Sequence, residues 1–286
     1  MDRFSRVAEI RTGVRMPYYA QGDTSGIPLV LVHAVGDSQR IFEGLLDHLP
    51  DSVHAFAPTM RGHGDASRPD SGYRSSDFAS DITAFMDALH IETAVIVGGS
   101  SGGLIGQRFA IDFPDRALGL VLLGAPLTFM NKPLAQGLWD STISKLSDPI
   151  DPAFVRRFVE SALSQPVLDA LLDASIGESL KVPAFVWRET LKGILADDFS
   201  TELVKITVPT LVIWGDEDTV LTREDQEALT RLINGSRLIV YPGAGHVFYW
   251  EEPAHVAADL VTFTKELASG VALWSENMNG KGRSSL

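Results

Sequence analysis

The stretch VIVGGSSGG, residues 95–103, decides how this sequence is interpreted. An apolar run rich in β-branched residues, typical of a buried strand, stops at a serine flanked by glycines, and residues 104–113 follow with a helical pattern. A strand, a sharp turn that carries one hydroxyl and a helix together form the nucleophile elbow, Gly-x-Ser-x-Gly. The serine backbone is strained at such a turn, so residues without a Cβ are needed two positions before and after it. Gly98 and Gly102 hold those positions around Ser100, which is therefore the predicted nucleophile.

A second register of the motif would place Ser101 at the turn, because residues 99–103 also read Gly-x-Ser-x-Gly. The apolar run 94–97 leads directly into Gly98, which favours Ser100. A glycine-rich turn between a strand and a helix can instead hold a phosphate. Neither Gly-x-Gly-x-x-Gly nor Gly-Lys-Ser/Thr accompanies this turn, so the sequence favours the nucleophile.

Composition and charge exclude several classes of function. The 286 residues carry a net charge of −13, which repels phosphate backbones and anionic lipid and predicts neither a nucleic-acid nor a membrane partner. The chain has no cysteine, which excludes disulfides, thiolate zinc sites, iron–sulfur clusters and a cysteine nucleophile. The first residues lack the apolar segment of a secretory signal, and no apolar run approaches the roughly 18 residues of a membrane helix. We expect a cytoplasmic protein.

Short apolar runs alternate with helical patterns over most of the chain, which predicts an α/β fold with a mostly parallel, doubly wound sheet. The predicted strands are 7–11, 14–19, 29–32, 53–57, 94–97, 118–123, 210–214 and 237–240, of which the first two form an antiparallel pair. The predicted helices are 41–49, 76–89, 104–113, 223–233 and 253–267.

The alternation disappears between residues 124 and 206, where prolines separate amphipathic helical pieces such as 153–163, 167–176 and 184–195. An all-helical insertion in an α/β sheet is typical of a cap over the carboxyl ends of the strands, where ligands bind. The predicted division is a core of residues 1–125 and 207–268, a helical cap of 126–206 inserted before the acid-bearing strand, and a flexible C-terminal tail of 269–286.

A serine nucleophile needs a base to take its proton and an acid to orient that base. His246 lies in a glycine-rich loop directly after the strand 237–240, from which it can reach the elbow. The strand 210–214 ends in Gly-Asp-Glu-Asp, and any of its three carboxylates could orient His246. The third residue after the glycine is best placed once the chain has turned, so we predict Asp218 as the acid, with Asp216 as the alternative.

The tetrahedral intermediate of acyl transfer needs two backbone N–H donors for its oxyanion. One donor is expected from Ser101, the residue after the nucleophile. The other is expected from the loop after the strand 29–32, where Val35 is the candidate. His33, in the same loop, is interpreted as an anchor of that loop.

The chain resembles the α/β-hydrolase superfamily, in its branch of small cap-bearing hydrolases, over residues 14–267. The matching motifs are the elbow, LVHAVG at 31–36, RGHGDAS at 61–67, WGDED at 214–218 and GH at 245–246. The resemblance implies the α/β-hydrolase fold and a Ser100–His246–Asp218 triad, and that chemistry requires no metal and no cofactor. Three positions depart from the usual pattern: Ala34 replaces a glycine, Gly99 replaces a His, Asn or Trp, and Thr59 replaces an aspartate.

A serine at the elbow argues against the haloalkane dehalogenase and epoxide hydrolase branches, which use aspartate. The leading hypothesis is hydrolysis of a small-molecule carboxylic ester or lactone through an acyl-enzyme on Ser100. A carbon–carbon bond hydrolase of the meta-cleavage type is an alternative, although the loop 33–38 lacks its usual Gly-Pro-Gly run. A perhydrolase or other acyl transferase and a ligand sensor without turnover also remain open. The sequence gives no oligomeric state.

Apolar residues of the cap and of the loops around the elbow predict a pocket for an apolar acyl or ring-bearing group. Taken alone, each aromatic residue among them also suits packing within the cap or beneath the last helix. The predicted pocket residues are Ala34, Gly99, Phe129, Met130, Trp139, Phe158, Trp187 and Phe248.

Overall fold

The computed structural model describes residues 5–130 and 132–270, and the predicted tail therefore lies outside the described residues from position 271 onward. The strands of the described part are β1 (Arg6–Glu9), β2 (Arg15–Gln21), β3 (Pro28–Val32), β4 (His54–Pro58), β5 (Ala94–Gly99), β6 (Ala117–Leu123), β7 (Thr210–Gly215) and β8 (Arg237–Tyr241). They form one sheet in the order β1-β2-β4-β3-β5-β6-β7-β8. The pair β1–β2 is antiparallel and most other pairs are parallel, as the sequence pattern predicts, and the structure adds a second antiparallel pair, β2–β4.

The predicted helices, those of the cap region included, begin and end close to the observed ones, whereas no bounds were predicted for the helices at 133–141 and 248–251. They are α1 (Glu43–His48), α2 (Ser75–Ala88), α3 (Ser101–Asp112), α4 (Pro133–Ser141), α5 (Pro152–Glu160), α6 (Asp169–Leu180), α7 (Ala184–Ala196), α8 (Arg223–Leu232), α9 (Phe248–Glu251) and α10 (Pro253–Ser269). No described helix is long and apolar enough to span a bilayer.

The four central strands β3, β5, β6 and β7 are almost entirely buried, which explains their continuous apolar sequences. Parallel register brings their carboxyl ends to one edge of the sheet: Gly99 pairs with Leu123, Leu123 pairs with Ile213, and Gly215 pairs with Tyr241. The loops that follow β3, β5, β7 and β8 therefore begin side by side, and each carries one of the predicted site residues.

The motif RGHGDAS at 61–67 fixes the loop after β4. The Arg61 guanidinium donates two hydrogen bonds of 2.6 Å to the fully buried Asp81 carboxylate on α2. A bidentate pair of this kind restricts orientation as well as distance. His63 completes the loop, since its Nδ1 lies 2.8 Å from the Arg61 carbonyl oxygen. Burial lowers the pKa of His63 to about 4, so the ring is neutral near pH 7. This motif stabilises the fold beneath the site.

Helices α4 to α7 occupy the chain between β6 and β7, which is the region predicted as the cap. Proline stands at the first position of α4 and α5, where its missing N–H costs no hydrogen bond. Helix α4 is a further proline-initiated helix of this region, beyond the three that the sequence analysis gives as examples. The Trp187 ring on α7 lies so close to the loop after β3 that a Cβ on Gly36 would be 2.4 Å from it. The α7 helix thus packs directly on the edge of the sheet that carries the site residues.

Candidate active site

Ser100 occupies a strained turn between β5 and α3. Its φ is +50°, a left-handed conformation that is uncommon for a residue with a side chain. A Cβ on Gly98 would lie 2.4 Å from the Gly102 carbonyl oxygen, and one on Gly102 would lie 2.3 Å from the Val32 carbonyl oxygen. Both glycines are therefore required by close backbone approach. Ser101, the nucleophile of the alternative register, is the first residue of α3 and is not at the turn.

A hydrogen-bonded chain of three side chains crosses the carboxyl edge of the sheet. His246 Nε2 lies 2.8 Å from Ser100 Oγ, and His246 Nδ1 lies 2.8 Å from Asp218 Oδ2. A carboxylate only accepts, so Nδ1 carries the proton and Nε2 is free to accept one from the serine hydroxyl. The side chains of His246 and Asp218 are 6% and 0% exposed, which keeps water from competing for these bonds. The arrangement can remove the hydroxyl proton of Ser100 and stabilise the resulting imidazolium.

The two aspartates after β7 have different partners. Asp218 Oδ1 accepts from the backbone N–H groups of Val220 and Leu221 at 2.7 and 2.9 Å, which leaves Oδ2 for His246. Asp216 Oδ1 instead accepts from the Gly243 N–H at 2.6 Å and joins the loops after β7 and β8. The structure therefore brings Asp218 to the histidine and directs Asp216 to the backbone.

The two expected oxyanion donors differ in whether their N–H groups are already hydrogen-bonded. The N–H of Ser101 is at the first position of α3, where it has no intrahelical partner. The N–H of Val35, expected to be free, donates to the Ser101 side-chain hydroxyl at 3.0 Å. A substrate oxygen must share or replace that bond to use the Val35 donor. The sequence could not indicate this, because the rotamer of Ser101 depends on the loop packed opposite it.

His33 anchors the loop after β3. Its Nδ1 lies 2.8 Å from the Ala34 carbonyl oxygen, and its Nε2 accepts from the Met60 N–H at 2.9 Å. Burial, with a smaller contribution from the neighbouring His63, lowers the pKa of His33 to about 3. A neutral ring with both nitrogens engaged holds this loop in place and is not available as a base.

Glu251 was not singled out from the sequence, yet it joins the histidine loop to the region of the cap. One carboxylate oxygen accepts from the backbone N–H groups of Ser164 and Gln165 at 2.7 and 3.1 Å. The other accepts from the Gly245 N–H at 2.7 Å, next to His246. The only sequence signal was an acidic residue shortly after the histidine, and such a residue is common on any helix.

We expect Glu251→Gln to lower kcat by about tenfold with a smaller change in KM, because an amide presents an N–H to one of these N–H groups and frees the histidine loop. Steady-state kinetics on a simple ester measures this. The matched control is Glu252→Gln, which alters the neighbouring carboxylate that pairs with the exposed His255. An equal loss of kcat in both variants would contradict a positioning role for Glu251.

A cavity of about 380 Å³ opens on Ser100 and His246 and is lined mainly by apolar side chains. Of the predicted pocket residues, Ala34, Phe129 and Phe158 line it. Other parts of the wall come chiefly from α4 and from the residues after His246, where Tyr249 is a lining residue that the sequence already suggested: Leu134, Ala135, Leu138, Val247, Tyr249 and Trp250.

Five predicted pocket residues lie away from the cavity wall, each for a packing reason. Trp187 packs edge-on against Phe154 and Phe158 and is buried within the cap region. Three others are taken up by local contacts, namely Gly99 beneath the Tyr249 ring, Phe248 against Tyr241, and Met130 in a turn with Thr128. Trp139 is half-buried against the main core, because α4 turns Leu138 and Ala135 toward the cavity instead.

The cavity carries few charges. Lys132 pairs with the buried Asp225 carboxylate at 2.5 Å. Arg157 lies on an exposed part of α5 at the cavity rim, and Asp37 lies on the loop after β3. Across residues 5–130 and 132–270, no three His, Asp or Glu side chains gather in a way that could hold a metal ion.

The sequence profile described as the alpha/beta hydrolase family matches residues 29–260, which include β3, the elbow, Asp218 and His246. The chain belongs to this family. The order of its strands and the hydrogen-bonded chain at their carboxyl edge agree with that membership. The α/β-hydrolase fold predicted from the motifs is confirmed.

Three similar proteins illustrate the range of the family. Lipase 3 of Moraxella sp. is 26% identical over 272 residues, covering 89% of this chain and 82% of the relative. The 2-hydroxymuconate semialdehyde hydrolase of Pseudomonas sp. is 29% identical over 261 residues, covering 87% and 88%. Among solved structures, an esterase from Rhodococcus sp. superposes with a TM-score of 0.81 at 25% identity, covering 92% of this chain and 99% of that one.

Proposed function

We propose that this protein is a serine hydrolase that cleaves small carboxylic esters or lactones with an apolar acyl or ring-bearing group. The observation that carries the proposal is the Asp218–His246–Ser100 chain, with both hydrogen bonds at 2.8 Å, at the opening of a largely apolar cavity. The esterase and the lipase reported above support the reaction class. A lactone is a cyclic ester and requires no other chemistry.

In the acylation step, His246 Nε2 takes the proton of Ser100 Oγ as the oxygen attacks the carbonyl carbon of the ester. The imidazolium that forms is stabilised by Asp218, which is buried and fixed by two backbone N–H groups. Collapse of the tetrahedral intermediate breaks the bond to the alkoxy group, and His246 returns the proton to the leaving alcohol. An acyl group then remains on Ser100.

In the deacylation step, His246 takes a proton from water, whose oxygen attacks the acyl carbon, and Ser100 leaves with that proton. The oxyanion of each tetrahedral intermediate accepts from the Ser101 N–H, and from Val35 once its bond to the Ser101 hydroxyl is shared or broken. For a lactone, the leaving alcohol stays attached to the acid and is released with it.

Fluorophosphonate labelling followed by peptide mapping tests the proposal. A serine activated as described adds one phosphonyl group per chain, on the peptide that contains Ser100. A panel of ethyl and p-nitrophenyl esters and γ-lactones then defines the substrate class by pH-stat and absorbance. A folded protein that shows neither labelling nor turnover would contradict the proposal.

A carbon–carbon bond hydrolase is the second candidate, favoured by the 29% identity to the 2-hydroxymuconate semialdehyde hydrolase. The loop HAVGDS at 33–38 lacks the Gly-Pro-Gly run usual in that branch, which ranks this candidate second. A meta-cleavage product in the substrate panel separates the two. Turnover of that compound with no turnover of any ester would reverse the ranking.

A further inference from the structure

The Ser101 side chain lies at the elbow, and the proposed reaction uses only the backbone N–H of this residue. Ser100 holds the strained turn, and Ser101 follows it as the first residue of α3. Ser101 is 3% exposed and lines the catalytic cavity together with Ser100 and Val35. A hydroxyl next to the nucleophile can act on the reacting group even though it is not the attacking oxygen.

The Ser101 hydroxyl uses only part of its hydrogen-bonding capacity. Its oxygen accepts from the Val35 N–H at 3.0 Å, and no group of the described residues accepts its hydrogen. A serine hydroxyl carries one donor and turns about its Cβ–Oγ bond to meet an acceptor. The hydrogen is therefore available to an acceptor that enters the site.

The place of this hydroxyl follows from the two backbone donors expected to hold the oxyanion. Ser101 Oγ lies 3.0 Å from the Val35 nitrogen and is three covalent bonds from the Ser101 nitrogen. An oxyanion that accepts from the same two N–H groups lies about 2.7–3.2 Å from each nitrogen. Two oxygens held this close to the same two nitrogens are neighbours, so Ser101 Oγ borders the position of the oxyanion.

A hydroxyl beside an oxyanion either turns its hydrogen toward the charge or presents a lone pair to it. The first arrangement is attractive and the second is repulsive, and the hydroxyl is free to adopt the first. The Val35 N–H already engages a lone pair of Ser101 Oγ. That bond polarises the hydroxyl and strengthens the hydrogen bond that its own hydrogen donates.

We propose that the Ser101 hydroxyl is a third donor of the oxyanion hole, beside the N–H groups of Ser101 and Val35. The proposal rests on the proposed ester or lactone hydrolysis and assigns that reaction a further catalytic residue. As Ser100 Oγ forms its bond to the carbonyl carbon, the π electrons of the carbonyl group move onto its oxygen. This oxygen accepts from Ser101 Oγ–H, while the Val35 N–H is shared between Oγ and the oxyanion.

Ser101→Ala tests the proposal, because it removes the hydroxyl and keeps Ser100, His246 and both backbone donors. We expect kcat for p-nitrophenyl butanoate to fall about 10- to 30-fold and KM to change less than about twofold, since the bond forms only when the oxyanion does. The loss is smaller than that of a lone oxyanion donor, because the Val35 N–H released from Oγ compensates in part. An unchanged or higher kcat would overturn the proposal, since it would mean that the hydroxyl only occupies the Val35 N–H.

Ser38→Ala is the matched control. Ser38 lies in the same loop as Val35, is buried, and accepts from a backbone N–H, that of Arg40 at 3.2 Å. It lines a separate, smaller cavity, so we expect kcat to stay within about twofold of the wild type. Ser101→Thr keeps a hydroxyl and is expected to restore kcat to within about threefold.

A trifluoromethyl ketone separates donation to the oxyanion from a structural effect. Ser100 Oγ adds to the carbonyl carbon of 1,1,1-trifluorooctan-2-one, its proton passes to His246, and the ketone oxygen becomes an oxyanion. We expect the Ki of this compound to rise in Ser101→Ala by the same 10- to 30-fold factor, and the Ki of octan-2-one to change less than about twofold. An equal rise for both ketones would indicate a distorted cavity and overturn the proposal.

A further measurement keeps the role of Ser101 distinct from the proposed reaction. If the wild type hydrolyses no ester or lactone, the proposed function fails, and the hydroxyl is then judged by its contact with a bound carbonyl group. Infrared spectroscopy of ethyl hexanoate labelled with ¹³C at the carbonyl, bound to Ser100→Ala protein, measures the hydrogen bonds to that oxygen. A carbonyl band that moves to higher frequency when Ser101→Ala is added supports the donor, and an unmoved band rejects it.

Discussion

Replacing Ser100 with alanine is expected to lower kcat/KM for ester hydrolysis by about 10⁴- to 10⁶-fold, because no other side chain supplies the attacking oxygen. The Ser100 hydroxyl makes one side-chain hydrogen bond, to His246, so its removal leaves the fold in place. Circular dichroism and thermal unfolding verify the fold, and pH-stat kinetics with an active ester measures the loss. Fluorophosphonate labelling is expected to disappear in the same variant.

Ser101→Ala is the matched control for this prediction. It removes the neighbouring hydroxyl, which accepts from the Val35 N–H, and keeps both backbone donors and Ser100. We expect the Ser101→Ala protein to be labelled by fluorophosphonate on Ser100. Near-normal turnover in Ser100→Ala together with lost labelling in Ser101→Ala would transfer the nucleophile to Ser101, the other register of the motif.

The sequence predicted the sheet well because its strands are defined by burial. In β5 and β7 every residue is buried, so the apolar runs at 94–97 and 210–214 have little alternative to a central parallel strand. The glycines of the elbow were equally informative. A Cβ on Gly98 or Gly102 would collide with neighbouring backbone atoms, so only glycine fits at these positions. This requirement comes from the turn itself and can therefore be recognised in the sequence.

The cavity wall was predicted poorly, and the reason is physical. The packing of a short cap helix on its neighbours decides which of its sides faces the site. Apolar residues suit both the side that faces the cavity and the side that packs on other helices, so the sequence does not distinguish them. Trp187 and Phe158 both belong to the aromatic set chosen from the sequence, yet Phe158 lines the cavity and Trp187 packs behind it. Of the two neighbours Phe248 and Tyr249, which the sequence places equally close to His246, the fold turns only Tyr249 to the cavity wall.

Replacing Asp218 with asparagine is expected to lower kcat by about 10³- to 10⁴-fold with little change in stability. The amide oxygen can keep the bonds from the Val220 and Leu221 N–H groups, and the amide nitrogen then faces His246. That nitrogen donates to Nδ1, which forces the ring proton onto Nε2. An Nε2 that already carries a proton cannot take the one from Ser100.

Asp216→Asn is the comparison that identifies the acid. The asparagine oxygen still accepts from the Gly243 N–H, so the loops after β7 and β8 stay joined and kcat falls by less than about fivefold. The two variants add the same atoms and remove the same charge two positions apart, which cancels general effects of charge on this acidic protein. The reverse ranking would assign the acid to Asp216 and require the loop after β7 to rearrange when substrate binds. Equal, small losses in both variants would mean that His246 works without a carboxylate partner. We expect this outcome least, because the Asp218 carboxylate is buried against the His246 ring.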